Sequence, residues 1–344
     1  MPRQGGYSII ELMIAATIGL ILVAGITIIF ANTSRTRDET ERQGQQNDNG
    51  RYALEMLTNE LHSAGHLSEF NPVVLTTPAT KPDPCLTDLP SLTASLSLSV
   101  QGYDNGGAGL TCLSDVRPGT DILVVRRAST CAIGETGCEA AIAAVPYFQA
   151  SSCNSLTELQ SSNYQNYFAM ATTPASLVLH LKDCATVAPV RRYRTHIFFI
   201  ANNDKPADAI PTLKRAELGP GGFTIVPLVE GIENLQIEYG LDAGAVAGTP
   251  VTGTPGVFTA DPDTYSACVP AVCQNYWRNV VAVRINLLAR AVTRSAGFTD
   301  TKSYTLGNIA TGTANTVGPF NDGYRRHLYV STVRLFNVAG RNAS

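Results

Sequence analysis

The 344-residue sequence predicts an α+β fold, a long N-terminal α-helix packed on an antiparallel β-sheet head domain. Three observations carry this. An uncharged stretch runs from Leu12 to Ala31, and no proline occurs between Pro2 and Pro72. Beyond Gly65 the chain breaks into short β-branched runs separated by Gly-, Thr- and Pro-rich segments, without the strand–helix alternation of a parallel sheet.

The helix is expected from Ser8 to about Ala64. Its 20 uncharged residues, LMIAATIGLILVAGITIIFA, make roughly 30 Å of helix at about 1.5 Å per residue, enough to cross a bilayer's hydrocarbon. The run is too long for a secretory signal, and Asn32-Thr33-Ser34-Arg35 offers no small-residue cleavage site. The next stretch, Asn32 to Arg51, has no large apolar residue and reads as a solvated face, softened or interrupted near Gly44 and Gly50. Leu54, Leu57, Leu61 and Ala64 then fall at spacings of 3, 4 and 3, a stripe that lays the last turns on the head. Tyr52 is expected in the same contact, and Gly65 as the C-cap.

Strands are expected at residues 121–126, 176–181, 195–200, 213–218, 235–240, 280–292 and 327–335. Pro227 to Gly240 suggests a short helical turn feeding a strand. The segment AGAVAGTPVTGTPGVFTADPDTYSA, Ala243 to Ala267, reads as an exposed, mobile connection, with contact to a host surface as its functional alternative.

Composition narrows the function. Lys+Arg 25 against Asp+Glu 28 gives a net charge of −3, so nucleic acid is not an expected partner. Eight cysteines, Cys85, Cys112, Cys131, Cys138, Cys153, Cys184, Cys268 and Cys273, all follow the apolar run and point to an oxidising compartment. They permit 105 connectivities; pairing of close neighbours gives Cys268–Cys273, Cys131–Cys138, Cys85–Cys112 and Cys153–Cys184. There is no C-x-x-C, and His62, His66, His180, His196 and His327 lack ligand spacing, so no metal is expected. No nucleophile elbow, zinc-protease helix or phosphate loop occurs, and no catalytic residue or cofactor is assigned; His66 and Asp83 are scattered. Arg191-Arg192-Tyr193-Arg194 and Arg325-Arg326 read as strand ends or salt-bridge partners rather than a basic patch. Asp104-Asn105-Gly106 and Asp261-Pro262-Asp263 read as turns, since neither has a calcium-loop spacing.

Glu11 stands apart. It sits at the edge of the apolar run, where a fully inserted carboxylate costs on the order of 2–3 kcal/mol. With Gly6 and Tyr7-Ser8-Ile9-Ile10-Glu11-Leu12-Met13, the N-terminus resembles the signature of type IV prepilins. The resemblance implies cleavage between Gly6 and Tyr7 by a prepilin peptidase, N-methylation of Tyr7 where the family usually has Phe, and Glu11 as the fifth mature residue. It also implies that the Glu11 carboxylate neutralises the α-amine of a neighbouring subunit during assembly.

Gly50 to Leu57, Ser63 to His66, Pro227 to Gly240 and Tyr324 to Asn337 are similar to PilW-type minor pilins, whereas Asn71 to Ser176 and Ala243 to Ala267 match nothing recognisable. The resemblance implies a type IV pilin-like fold and a non-enzymatic minor pilin that helps initiate pilus assembly at or near the tip. Its implied partners are other minor pilins, the major pilin, the prepilin peptidase and the inner-membrane assembly platform. The implied location is the bacterial inner membrane, single-pass with a periplasmic head, and the extracellular pilus. The domains are then 1–6 leader, 7–31 membrane and assembly half of the helix, 32–65 solvated and head-packed half, and 66–344 head. The alternatives are a minor pseudopilin of a type II secretion system (GspJ-like), a membrane-tethered envelope enzyme or an adhesin.

Overall fold

The computed structural model describes residues 6, 8–106, 109–310 and 312–343. The chain divides into two compact units, Met1–Gln45 and Gln46–Ser344.

Helix α1 spans Ile9–Ser63 without a break, so neither Gly44 nor Gly50 interrupts it. Gly50 has a different reason. A Cβ there would lie 2.2 Å from the ring of Tyr329, so glycine lets a strand's aromatic side chain lie against the helix backbone. Within the first unit no described residue from Ser8 to Gln45 is buried. Within the second, Gln46, Gly50, Ala53, Leu57 and Leu61 form the buried stripe, and Ala64 continues it. Leu57, Leu61 and Ala64 of the expected stripe are fully buried and Leu54 packs half-buried against the same core, whereas Tyr52 is 56% exposed rather than a core contact. The helix ends at Gly65, at φ 70°, whose N–H donates to Arg126 O at 2.9 Å.

The head follows as α2 (Leu89–Ala94), β1 (Val100–Tyr103), β2 (Ile122–Ala132), β3 (Tyr147–Ala150), β4 (Phe168–Ala171), β5 (Arg191–Ala201), β6 (Thr212–Gly219), β7 (Gly222–Glu230) and β8 (Ile232–Asp242). Then come α3 (Ala243–Ala247), β9 (Pro255–Thr259), α4 (Pro270–Arg278), β10 (Val280–Arg290), β11 (Tyr304–Asn308), β12 (Ala314–Val317), β13 (Arg326–Arg334) and α5 (Phe336–Asn342). Seven strands form one sheet in the order β1-β2-β5-β3-β4, extended by β6 on β5 and β7 on β6. Four form a second, β13-β10-β8-β9, and β11 pairs with β12. Every strand pairing among the described residues is antiparallel, as the absence of strand–helix alternation predicts.

Three expectations are corrected. Residues 176–181 form no strand. Their alternating pattern finds no long partner, only an isolated bridge between His180 and Val187. Pro227 to Glu230 is not a helical turn but the end of β7. The turn is Gly231, at φ 74°, where a Cβ would meet Arg290 O at 2.5 Å. The segment from Ala243 to Ala267 is not a bare connection. It holds α3 and β9, anchored where the buried Asp242 carboxylate accepts the N–H groups of Gly244, Thr252 and Gly253.

The main core lies where α1 and both sheets meet: Leu57 and Leu61 of α1, Leu123 and Phe198 of the larger sheet, and Leu235, Ile285 and Leu287 of the smaller. Each such side chain contributes about 1.5–3 kcal/mol when fully buried. Asp121, just before β2, ties the sheets together. Its N–H donates to Leu235 O at 2.8 Å and its carboxylate accepts from Ile237 N–H at 2.7 Å, while burial pushes its carboxyl well above the usual range.

Candidate functional site

The N-terminal segment is built by the helix start. Ser8 Oγ accepts the Ile10 N–H at 3.3 Å, and the Ser8 N–H donates to Glu11 Oε2 at 3.0 Å. The hydroxyl takes the second helical N–H rather than the third, and Glu11 reaches back to the Ser8 N–H, a capping-box-like arrangement at an S-x-x-E sequence that satisfies donors the first turn leaves open. Its sequence signal is Ser8 three residues before Glu11. Gly6 is exposed, and a Cβ there would meet nothing within 4 Å, so nothing in the described fold itself demands glycine. Tyr7 lies outside the described residues.

Beyond the cap, α1 is long and apolar enough to cross a membrane, and none of its apolar window is buried. Its polar side chains are reconciled with that surface locally. Thr17 Oγ1 donates to Met13 O at 3.0 Å, and Thr27 Oγ1 to Val23 O at 2.7 Å. Hydroxyls bonded to the preceding turn carry no unmet polarity into hydrocarbon.

The head-packed turns of α1 are fixed by polar clamps as well as by the stripe. Gln46 Nε2 donates to Ala289 O and Arg325 O, both at 3.0 Å, and Tyr329 Oη to Asn47 Oδ1 at 2.9 Å. Glu60 accepts from Arg127 Nε at 2.7 Å and lies 2.9 Å from His196 Nδ1. Burial pushes its carboxyl up, but the bonds from His196 and Arg127 outweigh this and hold it down at about 2.

Within the two arginine clusters, Arg192, Arg194 and Arg326 make ion pairs, while Arg191 Nη1 donates to Ser129 O at 3.3 Å. Arg192 and Arg194 both reach Glu139, and Arg194 also meets Glu217 at 2.9 Å, while Tyr193 is buried in the core. Arg326 is the centre of a buried network. It pairs with Glu233, with Asp300 at 3.0 Å and with Asp322 at 2.7 Å, and lies 3.7 Å from the Phe320 ring centre. Burial lowers its pKa, but the bonds to Asp322 and Glu233 dominate and raise it. Arg290 and Arg117 approach the same Glu233 at 3.6 and 3.4 Å.

The cysteines are joined as Cys85–Cys112, Cys131–Cys138, Cys153–Cys184 and Cys268–Cys273. Cys131, Glu135 and Cys138 come close enough to share an ion, but both sulfurs are committed to a disulfide. His180 Nδ1 meets Glu158 at 2.7 Å, and Asp83 accepts the Cys85 N–H at 2.9 Å. Asn105 N–H donates to Asp121 at 2.8 Å, so the Asp104 loop is a turn closed on the sheet junction. Asp263 belongs to another corner, accepting from Trp277 Nε1 at 2.8 Å and pairing with Lys81 at 2.6 Å.

Comparison with known families agrees with both ends of the chain. Residues 197–337 match the family model described as Type IV Pilus-assembly protein W, and residues 1–27 match the Prokaryotic N-terminal methylation motif. No curated protein and no solved structure matches the chain.

Proposed function

We propose, on the premise that this chain is a PilW-type prepilin, that it acts as a minor pilin helping to initiate type IV pilus assembly and sits at or near the pilus tip. In this reading residues 1–6 are a leader removed by the prepilin peptidase between Gly6 and Tyr7, and Tyr7 is then N-methylated. Residues 7–31 anchor the chain in the inner membrane and enter the filament. Residues 32–65 carry the helix onto the head, and 66–344 form a periplasmic head later displayed on the extracellular pilus.

The observation that carries the reading is the pairing of Glu11 with a wholly uncovered apolar helix, in a chain whose head closes its own core. An apolar helix without partners in its own chain takes them from lipid or from other subunits. A carboxylate at its edge favours the register in which an adjoining subunit's α-amine meets it, because an unpaired charge in a low-dielectric bundle is costly. The partners are the helices of other minor pilins and of the major pilin, with the assembly platform extracting them from the bilayer. The chain contributes packing and charge pairing, and the matched family is a structural component of the pilus.

Mass spectrometry of the native N-terminus tests the processing step: the expected chain begins at a methylated Tyr7, and retention of Met1 to Gly6 in cells that possess the peptidase overturns the reading. Deletion of the gene is expected to abolish pili while leaving enzyme secretion intact; the reverse assigns the chain to type II secretion.

A further inference from the structure

Lys81, before α2, and Asp263, after β9, are 182 positions apart and meet in the head. Lys81 Nζ lies 2.6 Å from Asp263 Oδ2 and donates to Gly102 O at 2.5 Å. The pair is largely enclosed, the two side chains being 20% and 26% exposed. Aromatic rings take the place of water around the amine: Nζ lies 4.1 Å from the Tyr103 ring centre and 4.9 Å from that of Trp277.

The two oxygens of Asp263 are held differently. Oδ1 accepts from Trp277 Nε1 at 2.8 Å and from Gln274 Nε2 at 3.2 Å, both donors belonging to buried side chains of α4. Among the described residues Oδ2 has Lys81 as its one hydrogen-bond partner. Two fixed N–H donors on one oxygen polarise the carbonyl and stabilise the negative charge that develops there when a nucleophile adds to Cγ. The other oxygen, already bonded to the amine's protons, is placed to leave. The loop itself is pinned. Asp261 Oδ1 accepts the Asp263 N–H at 3.0 Å, and the sulfurs of the Cys268–Cys273 disulfide lie 3.4 and 3.2 Å from Asp263 O.

We propose that Lys81 and Asp263 condense into an intramolecular isopeptide bond. The bond from Lys81 Nζ to Asp263 Cγ forms and the Cγ–Oδ2 bond breaks. Of the three ammonium protons one stays on the amide nitrogen and two leave with Oδ2 as water, so no oxidant, reductant or further reactant is consumed. Oδ1 remains as the amide carbonyl, still bonded to Trp277 and Gln274. Condensation of a free amine and acid is unfavourable in water; holding the two groups in contact offsets this, since well-oriented pairs reach effective concentrations of about 10⁵–10⁸ M. The product ties the segment before α2 to the segment after β9 and, unlike the disulfides, survives reduction. The test is mass spectrometry of the full chain, purified in detergent, reduced and digested with trypsin. The peptides containing Lys81 and Asp263 are expected to stay joined, with their summed mass less one water. In reducing, denaturing gels the undigested chain should run as a closed loop, faster than Lys81→Arg, which keeps the charge but lacks the amine nucleophile. Lys81→Arg and Asp263→Ala should each give two separate peptides. Separate peptides of full mass from the native chain overturn the proposal, as does a loss of water that persists in Lys81→Arg. Should neither variant fold, the joined or separate peptides of the native chain decide.

Discussion

Arg326 meets three carboxylates, Glu233, Asp300 and Asp322, with its side chain 1% exposed. Removing the shared cation from such a site leaves buried anions uncompensated, which costs about 3–5 kcal/mol. Arg326→Met should therefore lower unfolding stability by that amount in denaturant titrations, whereas Arg35→Ala on the exposed helix should change it by less than about 0.5 kcal/mol. Glu60 makes a pH prediction of definite sign. Its carboxyl is held at about 2 against an ordinary 4.5, so the ionised form is favoured by the fold. That stability is fully present above about pH 5 and is lost as pH falls toward 2, a contribution on the order of 3 kcal/mol. The facing groups are Arg127 and His196. Glu60→Gln, which has no proton to gain, should show a correspondingly shallower loss of stability between pH 5 and 2 in acid titrations followed by circular dichroism.

Among the elements, α1 depends on its stripe more than on its propensity, since isolated helical turns are marginal in water. Leu57→Ala, at a position with no exposure, should cost about 2–5 kcal/mol and release the helix's last turns to hydrogen exchange. The disulfides make a graded prediction. On the chain-entropy model, opening Cys85–Cys112 or Cys153–Cys184, with separations of 27 and 31 residues, should cost about 3–4 kcal/mol, and opening Cys268–Cys273, with a separation of 5, about 2 kcal/mol. Paired Cys→Ala variants compared in denaturant titrations check the order.

The elements legible in the sequence are those whose signal is local: the proline-free helix, and the strands β2, β5, β6, β8, β10 and β13. Short strands such as β3 and β4 owe their state to partners far along the chain, and residues 176–181 had the pattern of a strand without the partner. The reason for Gly50, the Tyr329 ring, lies 279 positions away and leaves no local trace in the sequence. The same limit applies to the sites. Gly6 and Glu11 share one short motif and could be read together. The Arg326 network could not, because Glu233, Asp300 and Asp322 belong to segments far apart in the chain.

For the molecule as a whole, the open issue is what Glu11 does, since the structure gives it a second occupation. As the partner of Ser8 in a capping box it stabilises the start of its own helix, worth roughly 0.5–2 kcal/mol. As the proposed counter-charge of a neighbouring α-amine it fixes the stagger between subunits. The two roles respond differently to one substitution. Glu11→Gln keeps a side-chain oxygen able to accept the Ser8 N–H but carries no charge, and glutamine serves as well as glutamate at that cap position. Ser8→Ala removes the hydroxyl half of the cap and leaves the carboxylate in place. If charge pairing governs assembly, Glu11→Gln should match Glu11→Val in loss of surface pili, while Ser8→Ala should assemble normally, with equal membrane levels of all three variants by immunoblot. If capping is what matters, Glu11→Gln should pilate normally and Ser8→Ala should be impaired, which would remove the electrostatic account of subunit register.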